Sequence, residues 1–546
     1  MHIKRRSFLM TAAAGFALSP FSGSAREVAS FVEVSTPFGR LRGERTKVGC
    51  RFLGVPYAGS VSGMGRFKAP PPLAPWAGIR DALVPGAPSI QPPSPILSGS
   101  IPPIPSPSED CLTLNIWTPA ADGRRRPVMF YNHGGGFVSG SCSTPSQDGS
   151  RLAREHDVVV VASNHRLGLL GYLFLADILG PGYPGNPGLL DIAAALRWTH
   201  ENIHEFGGDP ANIMVFGESG GGAKTSCIFA MPAVKDLFHK ASIESIGSAG
   251  VRMKERDNAN ATTRAVLKYL GIAESDARKL HDVPAAELLK AQRSLSILDF
   301  WPVVDGTSLP THPFDPVAPH FSAHKPLICG TCRDETVLFF RDDPSAFSLD
   351  EAGLRERLVD VLGAEMADGA IKVYRKTRPT GSPSDLFFAI TTAQLMVRGE
   401  IVIAERQLAQ HSAPVYMYQL VYPSVEKWPW TDYPMGSPHA SDIFMKFNTP
   451  DVVSAADPML SIDQTPARYK TAANMSTMWA TFARTNHPGA PGQTAWPNYT
   501  LAERGTMLID AECRVVNDPN REERLFWEKA CPSGCEFRLP SKKRTG

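Results

Sequence analysis

Cysteine is scarce in this chain, with nine thiols in 546 residues, and the number is odd. So low a count excludes a scaffold stapled by disulfides; the core must come from apolar burial, with Cys531 and Cys535 near enough in sequence to pair as an accessory. An excess of one charge is also missing. The 56 basic side chains face 54 acids, for a formal net charge of +2, which provides no field for nucleic acid. Past the N-terminus no uninterrupted apolar run approaches the roughly 20 residues of a membrane span. Internal repeats and interdomain linkers are absent too, and the stretch from Ala77 to Asp110 contains no Phe, Tyr or Trp.

What is there suits a large folded body: 43% hydrophobic and 20% charged residues exclude disordered and fibrous classes. The N-terminus reads as a targeting segment, with Lys4, Arg5 and Arg6 before an apolar stretch from Phe8 to Leu18 and small residues ending at Ala25. KRRSFLM has the form of a twin-arginine signal, which exports folded proteins. Loss of residues 1–25 removes three positive charges and moves the formal balance from +2 to −1. The expectation is a signal segment at 1–25, one domain at 26–546, and a periplasmic or secreted product.

Short β-rich pieces from Phe31 to Tyr57, punctuated by glycine, predict an antiparallel start to a sheet. Later apolar runs do not alternate: PVMFYN at Pro127, VVVVASN at Val158, NIMVFG at Asn212, KPLICG at Lys325 and APVYMYQL at Ala413. Continuous runs suit strands buried on both faces. Helical spacing appears between them, most clearly from Leu190 to Phe206, where Ile192, Leu196, Thr199, Ile203 and Phe206 share a face. Strands alternating with helices predict an α/β fold with a large, mostly parallel central sheet covered on both sides. The proline-rich segment Pro85 to Pro107 predicts an ordered surface loop over that sheet.

The sharpest motif is GESGG at Gly217 to Gly221, a G-x-S-x-G between the apolar strand IMVF and the helical AKTSCIFAM. A turn from strand to helix in so few residues strains the serine and leaves no room for flanking side chains, which raises Ser219 at the apex. A serine hydroxyl needs a base and its tetrahedral oxyanion needs donors. HGGGF at His133 to Phe137 follows a strand, and its Gly135 and Gly136 N–H groups, with that of Gly220, are candidates for those donors.

With these motifs the chain resembles the type B carboxylesterases, the α/β-hydrolase family that includes cholinesterases and bile-salt lipases. The resemblance also rests on SEDCLTLNIWTP at Ser108, NHRLGLLGYL at Asn164, GNPGLLD at Gly185, FGGDPANI at Phe206, LFHKA at Leu237, PVVDG at Pro302, GTCRDE at Gly330 and PHASD at Pro438. It implies the α/β-hydrolase fold with loops and helices inserted over the active site, and an acid at Glu335 with a histidine at His439. The order Ser219, Glu335, His439 suits that fold. Asp334 is the rival acid. Glu218, Ser245 and Asp442 match family positions near the triad, and Phe300, Trp301, Phe339 and Phe340 flank family pocket regions. The implied activity is hydrolysis of a small-molecule carboxylic ester without metal or organic cofactor.

Other readings of the residues compete. HENIH at His200 to His204 satisfies HExxH, in which His200 and His204 would bind zinc and Glu201 act as base, but no third ligand follows at a recognisable spacing. Lys224 and Thr225 follow a glycine-rich turn, yet Ala223 and Glu218 stand where a P-loop needs glycine. CGTC at Cys329 to Cys332 has redox spacing but closes a strand instead of opening a helix. A non-catalytic binding protein of the same fold is the rival of a different class. The family's usual loop disulfide to Cys111 is missing, since no cysteine lies between Cys50 and Cys111 and Ser89 or its neighbours occupy that region. The aromatic-free stretch also speaks against choline esters, whose ammonium needs an aromatic face.

Overall fold

The structure is a computed structural model and describes residues 30–93, 104–428, 430–452 and 465–535; the expected signal segment lies outside the described residues. The glycine-punctuated start folds into β1 (Ser30–Thr36), β2 (Gly39–Thr46) and β3 (Gly49–Pro56), paired antiparallel, with β4 (Ile79–Asp81) parallel to β2. The five continuous apolar runs become strands of the centre, β6 (Arg126–Asn132), β7 (Val159–Ser163), β8 (Gly208–Glu218), β10 (Leu327–Cys332) and β11 (Val415–Leu420), and β5 (Thr113–Thr118) and β9 (Lys240–Glu244), not among those runs, join them. A small hairpin, β12 (Ser424–Lys427) and β13 (Pro434–Gly436), stands apart, and β14 (Gly505–Ile509) with β15 (Arg514–Asn517) closes the far edge.

Among the described residues these form one sheet of thirteen strands in the order β1-β2-β3-β5-β7-β6-β8-β9-β10-β11-β14-β15, with β4 beside β2. Pairing is parallel from β7 across to β14 and antiparallel at both edges. Successive side chains of a strand point to opposite faces. In β6, Val128 and Phe130 enter one core while Met129 and Tyr131 enter the other. The first core is roofed by helices Pro187–Asn202 and Gly220–Phe229, the second by Ser441–Lys446 and Pro466–Thr485. Two dry faces explain why the central runs have no polar alternation.

The helix expected from Leu190 to Phe206 starts earlier and changes character before its end. Pro187 at its first turn lacks only an N–H that would go unpaired anyway, so the α-helix spans Pro187–Asn202; Ile203–Phe206 is a 3₁₀ turn stopped by Gly207 at φ 80°. The apolar helix Pro383–Leu408, opened by a reciprocal Ser382–Asp385 cap and loosened by a π turn at Ala393–Val397, is long and apolar enough to cross a membrane. It contains Arg398 and Glu400, and 83% of its most apolar window is buried inside the fold, so it serves as a core helix.

The described parts of the proline-rich segment form no helix or strand, as expected, but they are held in place. Gln91 donates to the Gly140 carbonyl and accepts from the Gly140 N–H, and Asn164 donates to Ala87 O. With Ser89 and Gln91 buried, this portion packs against the fold where a surface loop was expected. Cys111 is free and buried, and Ser89 hydrogen-bonds beside it. Cys531 and Cys535 form a disulfide.

Candidate active site

Strand β8 ends at Glu218 and the helix Gly220–Phe229 begins two residues later, leaving Ser219 alone at the bend with φ 57° and ψ −127°. A left-handed φ on a non-glycine residue costs about 1–3 kcal/mol and persists only where neighbours enforce it. Here Ser219 N donates to Glu244 O at 2.9 Å and Ser219 O accepts from Ala223 N at 3.1 Å. The flanking glycines answer to close approach: a Cβ on Gly217 would lie 2.5 Å from the Gly221 carbonyl, and one on Gly221 would strike Asn132 O.

Strand β6 delivers the loop that faces this bend. Gly135 and Gly136 take φ 87° and 62°, and the Gly135 carbonyl turns back to accept from Ser139 N at 3.1 Å. Gly136 touches Gly220 so closely that a Cβ on Gly220 would strike its N and O. Among the described residues the N–H groups of Gly135, Gly136 and Gly220 have no acceptor. Unclaimed donors beside a strained serine can receive a developing oxyanion.

Glu335 follows β10 and is fully buried. One carboxylate oxygen accepts from Cys332 N and Ser245 Oγ, each at 2.7 Å, and the other lies 2.6 Å from His439 Nδ1. Asp334 makes no contact with His439; it accepts from Ser437 N and pairs with Arg333. Ser219 Oγ makes no hydrogen bond to His439 among the described residues. Instead His439 Nε2 sits 3.3 Å from Glu218 Oε1. Hydrogen bonds of this kind are often long in a free enzyme and tighten with substrate.

Charge is dense behind the histidine. Burial, joined by the charges of Asp442 and Glu335 against the pull of His439, pushes Glu218 up to about 8. Burial lowers His439, but the charges of Glu218 and Glu335 outweigh it and hold the imidazole up at about 9. The two are one system: a proton on Glu218 removes the charge that holds His439 up. Asp442 accepts from Tyr418 OH and from Lys446 Nζ, each at 2.8 Å, and Lys446 also reaches Glu244 at 2.5 Å.

A model of the carboxylesterase family matches residues 30–527. The chain belongs to the carboxylesterase family. Its relatives include carboxylic ester hydrolases, and this chain is an enzyme of that class. It is similar to a para-nitrobenzyl esterase of Bacillus subtilis, 36% identical over 92% of this chain and 98% of the relative. A phenmedipham hydrolase of Pseudarthrobacter oxydans is 29% identical over 87% of this chain and 94% of its own. Among solved structures, a carboxylesterase of Geobacillus stearothermophilus has a TM-score of 0.79 at 36% identity, covering 91% of this chain and 99% of that one. The α/β-hydrolase fold expected from the motifs is the fold observed.

In this carboxylesterase the remaining candidates divide. Trp301 packs edge-on against Phe137, with ring centroids 4.7 Å apart, and its ring borders Gly136; Phe339 lies 4.9 Å from the His439 ring. Phe300 is buried in the main core, and Phe340 packs on Phe387 and Phe388 in a second apolar cluster. HENIH does not form a ligand pair. The α-helix stops at Asn202, so exposed His204 sits in the 3₁₀ turn and faces Glu205, off the helical register of His200. No cluster of His, Cys, Asp and Glu suited to a metal occurs among the described residues. Lys446 and Glu244 were not legible as site neighbours. The one signal was spacing, since Lys446 stands one helical turn after Asp442.

Proposed function

We propose that the chain hydrolyses carboxylic esters through an acyl-Ser219 intermediate. His439 takes the Ser219 proton as the hydroxyl attacks the ester carbonyl, then returns it to the departing alcohol; water, activated by the same histidine, releases the acid and restores Ser219. Glu335 holds the imidazole by its Nδ1 and stabilises the cation. The N–H groups of Gly135, Gly136 and Gly220 receive the oxyanion. The observation that carries this reading is a serine held at positive φ beside three unclaimed N–H donors.

Aromatic and bulky apolar esters are the proposed substrates. Trp301 and Phe339 supply apolar walls, and two relatives are named as a para-nitrobenzyl esterase and a phenmedipham hydrolase. Export behind the segment 1–25 is part of the same proposal. Ser219→Ala is expected to lower kcat on a short-chain para-nitrophenyl ester by roughly 10⁴-fold or more, while a strong chelator leaves the wild type unchanged. Activity retained by Ser219→Ala, or lost to the chelator, would overturn the reading.

A further inference from the structure

Lys224 is fully buried, yet among the described residues it meets no acid. Its ammonium donates to the carbonyl of His133 at 2.8 Å and lies 5.6 Å from the centre of the Phe137 ring. His133 and Phe137 are the two ends of the loop that carries Gly135 and Gly136. The side chain therefore brackets the donor loop from behind, reaching it from the helix that begins at Gly220. That helix and the loop already touch along one line, at Gly220 against Gly136 and at Gly221 against Asn132. Lys224 extends the same face by one turn.

An unpaired cation in an apolar interior is costly, and a positive charge in the first turns of a helix opposes its dipole. Neither cost serves packing, because Lys224 fills a position that an apolar side chain of similar length would occupy more cheaply. We propose that Lys224 is a positioning residue for ester hydrolysis: it fixes the Gly135–Gly136 loop against Gly220 and places a positive charge behind the carbonyl oxygen on which negative charge develops. The inference rests on the acyl-serine reading above and names a further residue for it.

The surroundings favour such a role. His133 and His165 stack with centroids 4.6 Å apart, and burial together with the Lys224 charge lowers both well below the ordinary histidine range, so the neighbouring rings stay neutral. Glu218 and Glu244 lie on strands beneath the helix, and Asp191 on the neighbouring helix is taken by Arg166. None of them offsets the effect of burial, which lowers Lys224 to about 7. The charge is thus present below about pH 7 and lost above it, unless an oxyanion in front of the loop holds the proton in place.

Two variants and one inhibitor test this. Lys224→Met keeps the length and removes the charge; Lys224→Arg keeps the charge. On a para-nitrophenyl ester, Lys224→Met is expected to lose about tenfold or more in kcat with KM within about threefold, a part of the 10²–10³ seen when one oxyanion donor is removed. Affinity for an aryl trifluoromethyl ketone, whose adduct carries the oxyanion, should fall by the same factor, and Lys224→Arg should recover part of both. In the wild type that affinity should weaken as pH rises through about 7, and in Lys224→Met this dependence should vanish. Should Lys224→Met melt lower yet keep kcat and ketone affinity, the role is structural and the inference fails while the acyl-serine reading stands. If Lys224→Met does not fold, Lys224→Gln takes its place, and unchanged kcat and ketone affinity in that variant overturn the inference. Failure of the underlying reading shows separately, as activity in Ser219→Ala.

Discussion

Glu218 stands next to the nucleophile and touches the base. Its charge raises the pKa of His439, so each proton it loses makes the imidazole harder to deprotonate. Gln in its place has no charge to contribute. The acidic limb of kcat/KM, which reports the free enzyme's base, is therefore expected to move to lower pH in Glu218→Gln, checked by a profile on an uncharged ester. A limb that stays put or moves upward would show that Glu218 does not set the histidine's protonation. Legibility at this scale followed residue type. Ser219 was visible because glycines at fixed offsets are rarely explained otherwise, and Glu335 and His439 were visible only through the family's motifs. Lys224 was seen and set aside, since the sequence offered it a phosphate loop that its neighbours Ala223 and Glu218 forbid. Its real neighbour, the carbonyl of His133, is 91 residues away in sequence, and no local pattern carries such a contact.

At the scale of elements, the short helix Ser441–Lys446 is fastened to β9 by charge. Burial alone would lower Lys446, but Asp442 and Glu244 outweigh it and hold its ammonium well above the usual lysine range. All three groups are fully buried. Lys446→Met leaves two carboxylates facing each other in the interior, and breaking a buried pair by removing one partner costs about 3–5 kcal/mol. Denaturant unfolding should show that loss, and activity should fall with it, because His439 precedes this helix by two residues. A change under about 1 kcal/mol would mean that the acids take up protons at no cost. Arg166, held by Asp191 through both nitrogens of its fork, ties the loop after β7 to helix Pro187–Asn202 in the same manner. Arg166→Met should destabilise to a similar degree, about 3–5 kcal/mol by the same unfolding measurement. The strands were the most legible elements, since burial on both faces leaves an unbroken apolar run. Helix ends were less so: the helical spacing ran on through Ile203 and Phe206, although the last turn had already tightened to 3₁₀.

For the molecule as a whole, the main sheet separates two large cores, and the residues of the site come from loops at one end of it, after β6, β8, β10 and β11. This pattern was readable as a class, because strands alternated with helices. The satellite cluster of Phe340, Phe387, Phe388 and Trp428 was not, because its apolar residues are far apart in sequence and carry no pattern that separates them from the main cores. The cysteines bear on export. Seven are free thiols, all buried, and one short bridge joins Cys531 to Cys535. A chain with free core thiols is exposed to wrong pairing if it folds in an oxidising compartment, and protected if it folds first in a reducing one. A twin-arginine signal, which carries folded cargo, would give that protection. Replacing Arg5 and Arg6 by lysine is therefore expected to leave active enzyme in the cytoplasm of a bacterial host, as shown by ester hydrolysis in separated fractions. A general secretory signal on the unchanged mature chain should yield enzyme with scrambled disulfides and low specific activity. Full periplasmic activity by that second route would remove the thiol argument, and periplasmic enzyme from the lysine variant would remove the twin-arginine assignment itself.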